Sequence, residues 1–216
     1  MIKFFSYIAV SLFILILPAE SQAQLTDHKD TALLTDTTRP LLDAGQVLIE
    51  VKKEINGGKK MAFIQSVILI PAPPEAVWSV LTDCARAPSY IPGLKTCEVL
   101  DTAPDGLWDI HRHVTKISAF LPKMISEVRS EYTYPTSIRF KRIGGNVDVN
   151  QGAWTLRPDA YGLDASRLAT IVIYTSHVSS KSVVPDRTIR KSMEKNIPKV
   201  MSALRSEVLK DIQANK

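Results

Sequence analysis

Alternating hydrophobic and polar residues predict that much of the chain forms β-strands. In QVLIEVKKEI, Val47, Ile49 and Val51 alternate with charged residues, the period of a strand with one solvated face. An NGG turn signal then leads to a more apolar strand, KMAFIQSVILI. Further strand-like runs, separated by turn signals such as PDG and PDAYG, are TCEVLDT, GLWDIHRHVTKISAF, KMISEVRSEYTY, SIRFKRIGG, DVNQGAWTLRP and SRLATIVIYTSHVS.

Helices are predicted where this period changes. PAPPEAVWSVLTD begins a short helix at Pro74, and DCARAPSYIPG forms a second one that ends at Pro92 and Gly93. The last segment has apolar side chains at steps of three and four, typical of a long amphipathic helix. These side chains are Ile189, Met193, Ile197, Val200, Leu204, Val208 and Ile212.

This order of elements predicts an α+β fold, in which a curved antiparallel sheet wraps around a long C-terminal helix accompanied by two short helices. Strongly twisted sheets of this size curl. A single helix laid across the concave side leaves space between helix and sheet. We therefore expect a cavity there.

The N-terminus predicts export. Lys3 precedes an apolar run from Phe4 to Leu17, which Pro18 ends, and small residues flank a cleavage point after Ala23. The alternative is a membrane anchor, but this run of 14 residues is shorter than the roughly 20 residues that span a bilayer. We expect residues 1–23 to be a signal peptide and the protein to cross the inner membrane into the periplasm.

The rest of the chain divides into two parts. Residues 24–44 are rich in Thr and Asp without sustained periodicity, which predicts a linker or a loosely attached arm. Residues 45–216 are interpreted as one ligand-binding domain.

Charge narrows the range of partners. The formal net charge is +5, with 27 Lys and Arg against 22 Asp and Glu. The basic residues are spread along the chain without a block interleaved with aromatics, so no nucleic-acid binding is expected. A mildly basic exported protein favours anionic membrane surfaces or acidic ligands.

The stretch IPAPPEAVWSVLTDCARAPSYIPGLKTCEVL resembles the opening signature of the START-like (SRPBCC) superfamily. This superfamily includes the polyketide cyclase/dehydrase and lipid transport proteins and the coenzyme Q-binding proteins. The resemblance extends over residues 45 to 212. The matching positions are Ala72, Pro73, Val77, Trp78, Thr82, Asp83, Ile91, Pro92 and Gly93, and later Gly144, Gly145, Gly152, Trp154, Tyr174 and Pro185.

The resemblance implies a helix-grip fold whose cavity holds a lipid or another hydrophobic molecule. Carriers, cyclases and hydrolases share this fold, so the fold alone does not assign an activity. Aromatic residues are expected to line the cavity, since Tyr and Trp offer a polar tip within an apolar wall. The candidate lining residues are Trp78, Tyr132, Phe140, Trp154, Tyr174 and Met193.

The only two cysteines of the sequence, Cys84 and Cys97, bracket the Pro-Gly turn of this signature. Thiols of exported proteins seldom stay free, which favours a disulfide; the alternative is two separate buried thiols. In the helix-grip arrangement that the resemblance implies, the bridge would tie a short helix to the next strand at the mouth of the cavity.

The run DIHRH places Asp109, His111 and His113 on one face of a strand. The neighbouring apolar residues, Trp108 among them, predict that this polar face is solvated. Two histidines without a third ligand do not predict a metal site. The same alternation turns Arg112 inward as a polar anchor for a ligand, unless a bulge or strand end lets it reach water.

The segment ISAFLPKM is predicted to form a hairpin tip. Phe120 and Leu121 flanked by Lys123 suggest a lid over the cavity or a contact with anionic lipid headgroups. The alternative is that the tip packs on the last helix as part of the core.

Known catalytic motifs give little support for an enzyme. No GxSxG, HExxH or P-loop pattern occurs, and Asp83 is interpreted as a helix cap. A cyclase could still use Arg112, Tyr132 or Tyr174 to polarise a carbonyl. The hypotheses are therefore a carrier of a hydrophobic molecule, a cyclase or hydrolase, and an interaction module. No cofactor or metal is predicted.

Overall fold

The computed structural model describes residues 32–56, 59–116, 122–146, 149–161, 164–179 and 186–214. The predicted signal peptide, the hairpin tip at residues 117–121 and Pro185 lie outside these residues. The helices are α1 (Arg39–Asp43), α2 (Pro74–Leu81), α3 (Ala87–Tyr90) and α4 (Asp186–Ala214). The strands are β1 (Leu48–Asn56), β2 (Lys59–Ile70), β3 (Leu94–Thr102), β4 (Trp108–Thr115), β5 (Met124–Thr133), β6 (Ser137–Gly145), β7 (Val149–Tyr161) and β8 (Asp164–Ser179).

The eight strands form one curved antiparallel sheet in the order β1-β2-β8-β7-β6-β5-β4-β3. Neighbours in sequence pair along the sheet, except that β2 pairs with β8 while β1 and β3 become the edges. The connection from β2 to β3 contains α2 and α3 and leads to the opposite edge of the sheet. The predicted α+β class and order of elements are confirmed.

The main core lies between the concave face of the sheet and α4. Ile64 and Ile68 of β2 are fully buried in one cluster with Met201 and Leu204 of α4. The helix packs mainly against β1, β2, β8 and the short helices. The concave face of the other strands is therefore left largely uncovered by α4.

A second core lies on the convex face of the sheet and includes α1, which belongs to the segment predicted to be a linker or a loosely attached arm. Leu42 of α1 is 1% exposed and packs with Val67 and Leu69 of β2 on the side away from α4. Arg39 forms ion pairs with Asp43 and with Asp159 of β7. The part of residues 24–44 that the structure describes is thus packed onto the sheet rather than loosely attached, because its leucines cover an apolar surface that α4 cannot reach.

The edge strand β3 is irregular. Its pairing with β4 shifts register between Leu94 and Thr96 and again between Val99 and Asp101. Most of its side chains are exposed.

Candidate ligand-binding cavity

Two adjoining cavities lie between the concave face and α4. The first has a volume of about 200 Å³ and the second about 430 Å³. Residues common to both walls are Ile91, His113, Asn150, Tyr174 and Val200. The cavities exist because α4 packs against β1, β2 and β8 and leaves the concave surface of β3 to β7 uncovered.

The first cavity has an aromatic wall. Tyr132, Phe140 and Trp154 line it together with Tyr174, whose ring lies 4.5 Å from that of Trp154 and 6.1 Å from that of Phe140 between centroids. Burial raises the pKa of the Tyr174 hydroxyl, so it stays a neutral phenol. Four of the predicted lining residues are therefore brought together here, and their role in binding remains a prediction.

Gly152 explains how the aromatic wall fits. A Cβ at this position would lie 2.0 Å from the Thr175 carbonyl oxygen and 2.9 Å from Cζ of Phe140. Only glycine permits the ring and the neighbouring strand to approach this closely.

Two other predicted lining residues have different positions. Met193 of α4 lines the second cavity. Trp78 lines neither cavity. Its ring instead packs edge-on against Tyr132 and Tyr134, at 5.7 and 5.4 Å between centroids, so it supports the wall from behind.

The expected orientation of β4 is wrong. Arg112 points to the convex side, where its side chain is 42% exposed and pairs with Glu127 and Glu98. It is therefore not a cavity anchor. His111 and His113 line the first cavity instead.

The outward position of the apolar residues of β4 has a physical reason. Trp108 lies on the convex face under the guanidinium of Arg129, which is 4.1 Å from the ring centroid. Arg129 thus covers Trp108 on this side of the strand. The polar side is free to form the wall of a cavity.

Asp109 organises the polar side of β4. Its buried Oδ2 accepts a hydrogen bond from the Tyr132 hydroxyl and lies 2.9 Å from His111 Nε2. Burial, together with this bond, raises the pKa of Tyr132 well above its usual value. The other oxygen of Asp109, Oδ1, is buried and has no hydrogen-bond partner among the described residues.

His113 occupies the boundary between the cavities. Burial, with a smaller contribution from His111, lowers its pKa to about 4, although Asp109 opposes the shift. The two imidazole rings are 5.9 Å apart between centroids. His113 is therefore neutral at pH 7.

The predicted disulfide between Cys84 and Cys97 is confirmed, and both residues line the first cavity. It joins the segment between α2 and α3 to β3, which is the position that the resemblance implied. A nitrogen of His111 lies within 4.8 Å of both sulfurs. Since the sulfurs are bonded to each other, they are not available as thiolate ligands for a metal.

Ion pairs hold α3 against α4 beside this disulfide. Arg86 contacts Glu207 at 2.8 Å and Asp211 at 2.6 Å. Hydrogen bonds from Arg86 lower the pKa of Asp211, and those from Lys210 and Arg86 lower that of Glu207.

The second cavity is lined by Ile91 to Leu94, the end of β4 and the first half of α4. Gly93 adopts φ +83°, and a Cβ there would lie 2.9 Å from the Lys116 carbonyl oxygen, which explains the glycine of the signature. Lys123, predicted as part of a lid, is exposed. Phe120 and Leu121 lie outside the described residues.

The sequence reasoning missed His111, His113, Ser126, Ser130 and Asn150 as lining residues. A signal was present in β5, where Ser126, Ser130 and Tyr132 alternate with charged residues that must face water. Because β4 pairs with β5 in register, His111 and His113 share the face of these small and aromatic residues.

The cavity between a curved sheet and a closing helix defines a helix-grip, START-like fold. Residues 70–205 match the family described as polyketide cyclase/dehydrase and lipid transport, and the chain belongs to this family. No protein with a curated description matches the sequence.

Solved structures share the fold at low identity. A STAR-related lipid transfer protein from Xanthomonas axonopodis is 17% identical, with a TM-score of 0.61 over 74% of this chain and 93% of that chain. An aromatase/cyclase from a Streptomyces species is 17% identical, with a TM-score of 0.57 over 70% and 96%. A START superfamily protein from Mycobacterium smegmatis is 17% identical, with a TM-score of 0.57 over 68% and 97%.

No helix in the described ranges is long and apolar enough to cross a membrane.

Proposed function

We propose that this protein is an exported carrier or binding protein that holds a lipid or another hydrophobic small molecule between the sheet and α4. The observation that carries the proposal is the pair of adjoining cavities, whose walls are largely aliphatic and aromatic. Their volumes are in the range of small-molecule sites, roughly 300–1,000 Å³, when taken as one space. The family and the similar lipid transfer protein from Xanthomonas axonopodis support this proposal.

Export is supported by two features. The first 23 residues have the charge, apolar core and small-residue pattern of a signal peptide. The Cys84–Cys97 disulfide suits an oxidising compartment such as the periplasm. Fractionation of cells that produce the full chain, followed by N-terminal sequencing, tests this proposal: a cytoplasmic protein that retains Met1 would contradict it.

A matched pair of variants tests the binding function. Ser130 lines the first cavity, whereas Glu131, the next residue, lies on the opposite face and is exposed. Ser130→Phe should fill the cavity and reduce co-purifying hydrophobic compound by at least about tenfold, since an added ring displaces the guest. Glu131→Phe should leave the bound amount unchanged.

The measurement is native mass spectrometry of protein purified from its host, followed by organic extraction and identification of the released compound. Circular dichroism confirms that both variants are folded. If wild-type protein carries no compound, or if both variants carry as much as wild type, the cavity does not hold the guest.

The second candidate is a cyclase or hydrolase that uses the same cavity. Asp109, His111 and Tyr132 favour it, because a carboxylate in contact with an imidazole and a phenol is an arrangement that can move protons. The compound recovered from the protein, added back to ligand-free protein, should be returned unchanged by a carrier. An enzyme would convert it, and His111→Gln would abolish the conversion without loss of binding.

Contact with anionic membranes is a further part of the proposal. Lys116 lines the second cavity and Lys123 is exposed nearby along the chain, so both can meet phosphates around a departing guest. Sedimentation with vesicles containing phosphatidylglycerol should be stronger than with phosphatidylcholine vesicles and should weaken with salt. Equal binding to both would contradict this part.

A further inference from the structure

His113 lines both cavities, and its ring nitrogens are available to a ligand. Tyr132 donates its hydroxyl hydrogen bond to Asp109, and His111 Nε2 contacts the same carboxylate. Asn150 donates to the Ser126 hydroxyl at 3.1 Å. Within the described part of the chain, no hydrogen bond engages either ring nitrogen of His113, although its imidazole lines both cavities.

The surroundings of His113 carry almost no charge. Its strand neighbours are Cys97 of β3, which is in the disulfide, and Ser126 of β5. On its own strand, the titratable side chains on the same face are His111 and Asp109. Among the described residues, and apart from the histidines, Lys116 at the second cavity is the one lining side chain that bears a formal charge.

Such a site suits a neutral polar group better than an anion. A neutral imidazole offers one donor and one acceptor, which match a hydroxyl or a carbonyl. A carboxylate or phosphate on the first-cavity side of His113 would meet no lysine or arginine among the lining residues and would lose its hydration without compensation. Lys116 could pair with an anion only if the head group lay on the second-cavity side of His113.

We propose that His113 recognises the single polar group of an otherwise hydrophobic guest, and that the cavity selects a neutral alcohol or carbonyl compound over an acid of the same chain length. This inference rests on the proposed binding function and specifies its ligand class. The low pKa of His113 agrees with it, because the imidazole remains uncharged at neutral pH.

Displacement of Nile red from the full mature chain tests the selectivity. The probes share a ten-carbon chain and differ in the head: decane, decanol, methyl decanoate and decanoate. Titrations are made at about pH 8, where the acid is ionised. Decanol and methyl decanoate should displace the dye at concentrations at least about tenfold lower than decane and decanoate, given the cost of an unpaired buried charge.

Variants identify the residue responsible. His113→Leu should bring decanol and methyl decanoate to the level of decane, whereas His113→Gln, which keeps a donor and an acceptor, should retain most of the preference. Arg112→Gln, one position away on the convex face, should behave like wild type.

Three outcomes of the displacement experiment would contradict the inference, and each has a different meaning. If all four probes displace the dye equally, the cavity recognises only the hydrocarbon chain of the probe, and the inference about its head group is wrong. If decanoate is preferred and Lys116→Gln removes that preference, the guest is an acid held in the second cavity, which also overturns the inference. If no probe displaces the dye, the proposed binding function fails together with the inference.

Discussion

At the residue scale, the environment of His113 makes stability depend on pH. Its folded pKa of about 4 lies below the ordinary value of 6.5. Between these two pH values, the His113 side chain is protonated in the unfolded chain and neutral in the folded protein. The protein is therefore expected to lose up to about 3 kcal/mol of stability as the pH falls from the unfolded pKa of 6.5 to the folded pKa of about 4, whereas well above the unfolded pKa this loss is absent.

Urea unfolding of wild type and His113→Gln between these two pH values measures this contribution. Titrating groups that do not interact with His113 are common to both proteins and cancel in the difference. The wild type should lose stability relative to the variant on acidification. A difference that stays constant with pH would show that His113 is protonated equally in the folded and unfolded states.

The hydrogen bond from Tyr132 to Asp109 gives a second prediction. Tyr132→Phe removes a bond to a buried carboxylate whose Oδ1 already lacks a partner, so it should destabilise the fold by about 2 kcal/mol. Tyr134→Phe is the control, because Tyr134 contacts the same Trp78 ring but is 66% exposed. Chemical denaturation of both variants measures the difference, and equal losses would contradict the role of Asp109.

The inward face of β4 could not be predicted from its own pattern. Trp108 looked like part of the buried set, yet it lies on the convex face, where Arg129 covers it. The alternation of apolar and polar residues along a strand separates its two faces but does not show which face is buried. The neighbouring strand resolves this choice, since Glu127 and Arg129 of β5 are charged and fix the solvated side for both strands.

At the element scale, the disulfide fastens the segment between α2 and α3 to β3. A bridge that closes a loop of 13 residues should contribute about 3 kcal/mol, mainly by restricting the unfolded chain. The double variant Cys84→Ser, Cys97→Ser should therefore melt at a lower temperature than wild type in the absence of reductant.

A reducing agent supplies the control. Wild type should fall to the melting temperature of the double variant when dithiothreitol is present, while the variant itself should not respond. If wild type melts at the same temperature with and without the reductant under conditions that reduce the bridge, the disulfide adds nothing to stability.

The bounds and order of the elements were largely predictable. Pro74 begins α2, Pro92 and Gly93 follow the end of α3, and the apolar residues of α4 recur at helical spacing over its whole length. The position of α1 was not predictable, because the leucines of residues 32–44 occur as two adjacent pairs, Leu33–Leu34 and Leu41–Leu42, which show no helical period, and the helix has only five residues. The partner of Leu42 is a surface of β2 and β8 that exists only in the folded sheet.

At the scale of the whole molecule, the sheet has a core on each side. The concave core joins β1, β2 and β8 to α4, and the convex core joins β2 and β8 to α1. The remaining strands are free to enclose the cavities. The two cores and the cavities thus lie largely on different parts of one sheet, with β8 contributing to both.

The convex core yields the last prediction. Leu42→Ala should cost about 3 kcal/mol, since this leucine is 1% exposed, whereas Leu41→Ala should cost less than about 1 kcal/mol because Leu41 is 39% exposed. Thermal unfolding of the two variants makes the comparison. A negligible effect of Leu42→Ala would mean that α1 does not contribute to the fold.

The irregular edge strand β3 affects how copies of the protein meet one another. Two register shifts and exposed charged side chains such as Glu98 and Asp101 interrupt the row of backbone groups with which a foreign strand could align. A regular, exposed edge strand can pair with the same edge of another copy and so begin a fibril. The register shifts and charges of β3 oppose such pairing at this edge.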